Sequence, residues 1–148
     1  MKREYPDTPL VGVGAVIIED GRVALVKRGH APLLGEWSIP GGVMEVGETV
    51  REAVVREACE ETSLQVTVER LLGVYDRLLR DDEGRVRYHY LLVDFLCRRI
   101  SGDLCAAGDA DEVRWLTPEK VKQLMLPDDT NEVIRLGFES SSKQRSSK

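Results

Sequence analysis

Residues 42–64 read GVMEVGETVREAVVREACEETSL, and the fold follows from how this stretch divides into a loop and a helix. Thr49 and Glu52 stand in the T-x-x-E spacing of a capping box, in which each side chain satisfies a free backbone amide at a helix start. The spacing predicts a helix over residues 49–62. On a helical wheel at about 100° per residue, Val50, Val54, Ala58, Thr62, Val55 and Cys59 cover one half. Glu57, Glu60 and Glu61 gather beside that half, and Glu61 falls between Val50 and Val54, so partial burial of this carboxylate is expected.

These three glutamates stand at i, i+3 and i+4. Like charges at such spacings repel by roughly 0.2–0.5 kcal/mol per pair when exposed, and burial adds a desolvation cost. A hard divalent cation reverses the sign of that energy, because Mg²⁺ takes carboxylate oxygens as ligands and keeps waters in its other positions. The charge distribution leaves the same two readings. The 23 residues hold six acids (Glu45, Glu48, Glu52, Glu57, Glu60, Glu61) against two bases (Arg51, Arg56), whereas the rest of the chain holds 20 acids and 19 bases. The segment is either a solvated acidic helix or a site for a cation. A surface that coats nucleic-acid polymers would carry the opposite sign.

Outward from this segment, the 148 residues bound one domain, assigned to residues 1–139, with the low-complexity SSSKQRSSK of 140–148 as a mobile tail. Upstream, residues 11–18 read as a strand, Glu19-Asp20-Gly21 as a hairpin turn and 22–27 as the returning strand. Residues 30–36 read as a loop, and 37–39 as a short strand stopped by Pro40-Gly41-Gly42. Downstream, β-branched and aromatic residues over 65–79 and 85–100 predict a long hairpin turning at Asp81-Asp82-Glu83-Gly84. A short strand over 113–116 and helices over 118–126 and 130–138 complete an α/β (α+β) sandwich, a mixed sheet flanked by helices. The apolar run 11–18 is about half the length of a membrane span and lacks the flanks of a secretory signal, so a cytoplasmic protein with no membrane partner is expected. Cys59, Cys97 and Cys105 show no CxxC or Cys/His ligand spacing and read as buried thiols.

A glycine at 42, Glu48 six positions on, and then Arg56-Glu57-Ala58-Cys59-Glu60-Glu61-Thr62-Ser63-Leu64 together resemble the Nudix box. That box is the signature of hydrolases acting on a nucleoside diphosphate linked to some further group X. Trp37-Ser38-Ile39-Pro40-Gly41-Gly42 ahead of it is similar to the same family. The resemblance implies a Nudix-type α/β/α sandwich and a Mg²⁺-dependent hydrolase, with Mn²⁺ as an alternative ion. It assigns Glu57, Glu60 and Glu61 as metal ligands, with the Gly41 carbonyl as a backbone ligand, and Arg56 as the arginine that orients a metal-binding glutamate. It places a further catalytic acid in Gly108-Asp109-Ala110-Asp111-Glu112, with Glu112 favoured over Asp109, and leaves open that these are solvated turn acids.

Arg28 and Gly42 are expected at the substrate, although a strand-end arginine can equally be exposed without function. Glu48 can be structural or lie behind the ligands, and Arg56 can also pair with Glu52. His30 and His89 are read as surface or strand residues rather than bases. Trp37, Tyr75, Tyr88 and Tyr90 either stack on a base or fill the core. One position departs from the family: Ser63 stands where a glycine usually provides a left-handed helix cap, at a cost of about 1 kcal/mol.

VGVGAVIIEDGRVALVKRG (11–29) and GDADEVRWLTPEKV (108–121) look most like the ADP-ribose-pyrophosphatase-like branch. This resemblance implies a pyrophosphohydrolase acting on ADP-ribose or a similar nucleotide-sugar, a small-molecule partner. A MutT-like nucleoside-triphosphate pyrophosphatase and a non-catalytic nucleotide sensor are the alternatives. Exposed strand edges leave homodimer formation open.

Overall fold

The computed structural model describes residues 2–29 and 35–146, with side chains through residue 142. His30 and most of the loop expected around it lie outside the described residues. The chain runs β1 (Leu10–Glu19), β2 (Arg22–Arg28), β3 (Trp37–Ser38), β4 (Gly41–Val43), α1 (Val50–Thr62), β5 (Gln65–Arg80) and β6 (Val86–Ser101). It ends with β7 (Ala110–Leu116), α2 (Pro118–Lys122) and α3 (Asp128–Ser146).

β1 organises the sheet. It pairs in parallel with β6 over Leu10–Ile17, antiparallel with β4 at Gly12–Gly14, and antiparallel with β2 at Ile18 and Glu19. The order is β3-β2-β1-β6-β5, with β4 also on β1 and β7 on β2. The β1–β2 turn holds Asp20 at φ 51° and Gly21 at φ 73°, the paired positive angles that match the twist of a tight hairpin.

Successive residues of β1 point to opposite faces, and both faces are covered. Val13, Ala15 and Ile17 pack with Ala53, Val54 and Ala58 of α1, while Val16 and Ile18 pack with Val133 and Ile134 of α3. This is the three-layer sandwich that the order of elements implied.

Four local expectations change. Pro40-Gly41-Gly42 does not simply stop a strand. Gly41–Val43 is itself strand β4, because it lies against Gly12 and Gly14, and a Cβ on Gly41 would stand 2.1 Å from the Val13 carbonyl oxygen. The helix expected over 118–126 ends at Lys122, and α3 begins at Asp128. The residues expected to form a mobile tail from 140 are helical through Ser146, since Ser140 is buried and accepts a hydrogen bond from Arg70 Nη1 at 2.9 Å. Of the three cysteines, Cys97 is buried and its thiol is pushed up to about 12 by burial, whereas Cys59 is half-buried and Cys105 exposed.

Candidate active site

The capping box forms as its spacing requires. Thr49 Oγ1 accepts from the Glu52 N–H at 3.1 Å, and Glu52 Oε1 accepts from the Thr49 N–H at 2.9 Å. This fixes the start of α1 and therefore the azimuth of every glutamate after it. At the other end Ser63 adopts φ 67° and ψ 9°, the left-handed cap where the family usually has glycine. Its hydroxyl donates to the Cys105 carbonyl at 3.1 Å, which offsets part of the backbone strain.

Glu61 is 4% exposed, as its place between Val50 and Val54 demanded. One oxygen accepts from the Gly41 N–H at 2.9 Å, and the other pairs with Arg28. Arg28 is itself held by Ser38 Oγ at 2.9 Å and the Ile39 carbonyl at 3.1 Å. The arginine expected at the substrate is thus turned onto a carboxylate of α1, and it joins the end of β2 to the segment before β4. A contact 33 residues apart leaves no local trace in the sequence.

Arg56 gathers the remaining acids. Its Nε and Nη2 donate to Glu48 at 3.0 and 2.6 Å, and its Nη1 reaches Glu57 at 2.8 Å and Glu60 at 3.2 Å. The alternative pairing with Glu52 does not form among the described residues, because the Arg56 donors are committed to Glu48, Glu57, Glu60 and the Val43 carbonyl. Glu48 receives two guanidinium bonds and lies well below the ordinary carboxylate range because of them. Glu57 lies directly over Gly42, where a Cβ would stand 2.4 Å from its carboxylate carbon. Glycine at 42 is therefore the seat of that carboxylate.

Burial dominates the proton affinity of two of the three glutamates. It pushes Glu57 up, with Arg56 pulling the other way, and pushes Glu61 up against Arg28 and the Gly41 amide. Both carboxylates are short of positive charge even with an arginine each, a deficit that a cation would fill. Glu57 and Glu60 already converge on one point, Arg56 Nη1. Among the described residues, no three acidic, imidazole or thiol groups yet meet in a ready-made ligand set.

Glu112 is linked to this cluster by no hydrogen bond or ion pair among the described residues. It lies opposite Lys27 in the β2–β7 ladder, and its carboxylate is engaged by Arg114 on the same strand. The loop before β7 is what packs on the end of α1: Cys105 N–H donates to the Thr62 carbonyl at 3.0 Å and Ala107 N–H to the Glu61 carbonyl at 3.3 Å. Asp109, the acid ranked second from sequence, is at the end of that loop, and its carbonyl accepts from the Gly29 N–H at 3.0 Å. His89 is a β6 strand residue opposite Leu78. No helix among the described residues is long and apolar enough to cross a membrane.

The NUDIX domain family matches residues 8–136, a span that holds every site residue described above. The chain belongs to the Nudix hydrolase family. A protein of Methanocaldococcus jannaschii named ADP-ribose pyrophosphatase is 40% identical over 116 residues, covering 78% of this chain and 66% of that one, just under two thirds of its length. A MutT-like protein of Streptomyces ambofaciens is 36% identical over 126 residues, covering 83% of this chain and 75% of that one. Among solved structures, an ADP-ribose pyrophosphatase from Streptococcus suis superposes with a TM-score of 0.69 at 26% identity, covering 90% of this chain and 92% of that one. In this Nudix domain the box therefore spans β4, the loop after it and α1, with Arg28 brought in from β2.

Proposed function

We propose that this Nudix protein is a divalent-metal-dependent pyrophosphohydrolase that cleaves ADP-ribose, or a nucleotide-sugar close to it, into AMP and a sugar phosphate. The observation that carries the reading is the arginine-held carboxylate pair on α1: Glu57, half-buried over Gly42 and bonded to Arg56, and Glu61, buried and held by Arg28 and the Gly41 amide. The name of the 40% identical relative supports the choice of substrate.

The donor set fits a hard cation, being all carboxylate and backbone oxygen. Glu57, Glu60, Glu61 and the Gly41 carbonyl would hold it. When bound, such an ion neutralises the diphosphate and lowers the pKa of the attacking water. The chain's own residues do the remaining work. Arg56 fixes Glu57 and Glu60 relative to each other, and Glu48 fixes Arg56. Arg28 and the Gly41 amide fix Glu61, and the bare Gly42 gives Glu57 its place. A carboxylate of this set, or an acid of the loop before β7, takes the proton from water as its oxygen bonds to phosphorus and the bridging P–O bond breaks.

A second reading, a nucleoside-triphosphate pyrophosphatase, is favoured by the MutT-like relative. Incubation with ADP-ribose, other nucleotide-sugars and the common triphosphates in Mg²⁺ separates the two. AMP and ribose phosphate from ADP-ribose are expected. Pyrophosphate from triphosphates without turnover of ADP-ribose would overturn the first reading in favour of the second.

A further inference from the structure

On the face of the sheet away from α1, β6 carries a carboxylate that none of the above uses. Asp94 stands in the ladder between Gly14 of β1 and Gly73 of β5, so neither neighbouring strand offers a side chain beside it. Both glycines are needed. A Cβ on Gly14 would stand 2.3 Å from Asp94 Oδ1, and one on Gly73 would stand 2.7 Å from the Tyr75 hydroxyl oxygen. The carboxylate thus lies over Gly14, and the Tyr75 ring folds back over Gly73. Ile39 closes the Gly14 side, where the same added Cβ would meet its Cδ1 at 2.6 Å.

Asp94 is 6% exposed, yet among the described residues no hydrogen bond reaches it. Arg77 is the cation whose charge it feels, but that guanidinium is committed to Asp129 at the start of α3, at 2.7 and 2.8 Å. No side-chain oxygen among the described residues is both sealed from solvent and unpartnered, so the nearly buried Asp94 carboxylate keeps an opening. Holding it there without a protein donor is expensive, and a ligand entering that opening supplies the missing donor. The location says which ligand. Gly14 pairs with Gly41, whose N–H carries Glu61 at the free edge of β4. The Asp94 backbone is therefore about two strand spacings, roughly 10 Å, from that of Gly41, whose N–H holds the Glu61 carboxylate. That is about the reach of a nucleoside from its 5′ phosphate to the far edge of its base.

We propose that Asp94 reads the base of the nucleotide, its carboxylate accepting a hydrogen bond from an exocyclic amino group while the base lies against Tyr75. The proposal rests on the nucleotide-hydrolase reading above. A carboxylate accepts from the 6-amino group of adenine and repels the 6-oxo group of hypoxanthine, so the site discriminates between bases of the same shape.

The test is the ratio of kcat/KM for ADP-ribose over its inosine analogue, in the wild type and in Asp94→Asn. The wild type is expected to favour ADP-ribose by about 10- to 100-fold, the range of a charge-assisted hydrogen bond, and the variant to bring the ratio within about threefold of one. A ratio unmoved by the substitution overturns the proposal. Calorimetric binding of AMP, IMP and 2′-deoxy-AMP to the whole protein in Mg²⁺ keeps the two readings distinguishable. If ADP-ribose is not cleaved but AMP still binds more tightly than IMP, and Asp94→Asn abolishes that difference, the base contact stands while the substrate assignment falls. Equal binding of AMP and IMP, or a larger loss with 2′-deoxy-AMP than with IMP, overturns the assignment to the base.

Discussion

Replacing Asp94 by asparagine should make this protein more stable. Burial moves the carboxyl from its ordinary 3.8 to about 6, with the Asp129 charge pushing the same way and Arg77 opposing. At about 1.4 kcal/mol for each tenfold change in proton affinity, keeping Asp94 ionised at neutral pH costs the native state about 3 kcal/mol. The native carboxyl binds its proton more tightly than the unfolded chain does. Its favourable state is therefore fully present below the unfolded value and is lost as pH rises through about 6. An amide fills the same space, carries no charge and escapes the penalty.

Urea unfolding of the wild type and Asp94→Asn at pH 7.5 should show a gain of about 3 kcal/mol, shrinking to about 1 kcal/mol at pH 4.5. In a thermal melt the neutral-pH gain corresponds to roughly 6–12 °C. The pH dependence of the difference isolates this site, because Tyr75, Arg77, Asp129 and Glu132 around it are common to both proteins. A variant that is less stable at pH 7.5, or a gain that does not fall on acidification, would refute the argument. Stability given up at Asp94 and recovered by its removal is the pattern expected of a residue kept for ligand recognition.

The site itself yields four further expectations. Gly42→Ala places a methyl group 2.4 Å from the Glu57 carboxylate carbon, so turnover should fall by tenfold or more while the urea midpoint barely moves, since the displaced atoms end a flexible side chain. Arg28→Ala leaves Glu61 buried with only the Gly41 amide, and should cost about 3 kcal/mol at neutral pH. Because burial already raises Glu61 and Arg28 lowers it, that deficit should shrink as pH falls and Glu61 takes a proton, which paired urea titrations would reveal. Ser63→Gly relieves a left-handed serine but loses the bond to Cys105, so a melt should show a gain between zero and about 1 kcal/mol. Chelation with excess EDTA should abolish nucleotide turnover while circular dichroism stays native, because the core clusters on both faces of the sheet are apolar.

Features that depend on local sequence were legible, and those that depend on strand register were not. The capping box, the azimuth of Glu61 and the long β5–β6 hairpin each rest on spacings of a few residues, and each stands in the structure as read. Arg28 on Glu61 and Arg56 on Glu48 required knowing how β2 and β4 meet α1. The end of α3 escaped because serine-rich composition says nothing of Arg70, 70 residues earlier, which holds Ser140 from β5.

One register-dependent feature did leave a trace. Two glycines alternate in Val11-Gly12-Val13-Gly14, at the start of a buried strand where β-branched residues would pack better. Glycine inside a strand marks a place where another backbone or a ligand comes close. In β1 it marks two close approaches, one by a backbone and one by a side chain. Gly12 and Gly14 admit the strand Gly41–Val43 at its edge, and the bare face of Gly14 leaves room for the Asp94 carboxylate. On the two proposals above, the same two positions connect a diphosphate site beside β4 to a base-reading slot on β6. Gly14→Ala should disturb both at once, lowering turnover of ADP-ribose and its preference over the inosine analogue together. Loss of one without the other would mean that the two sites are not joined through this strand.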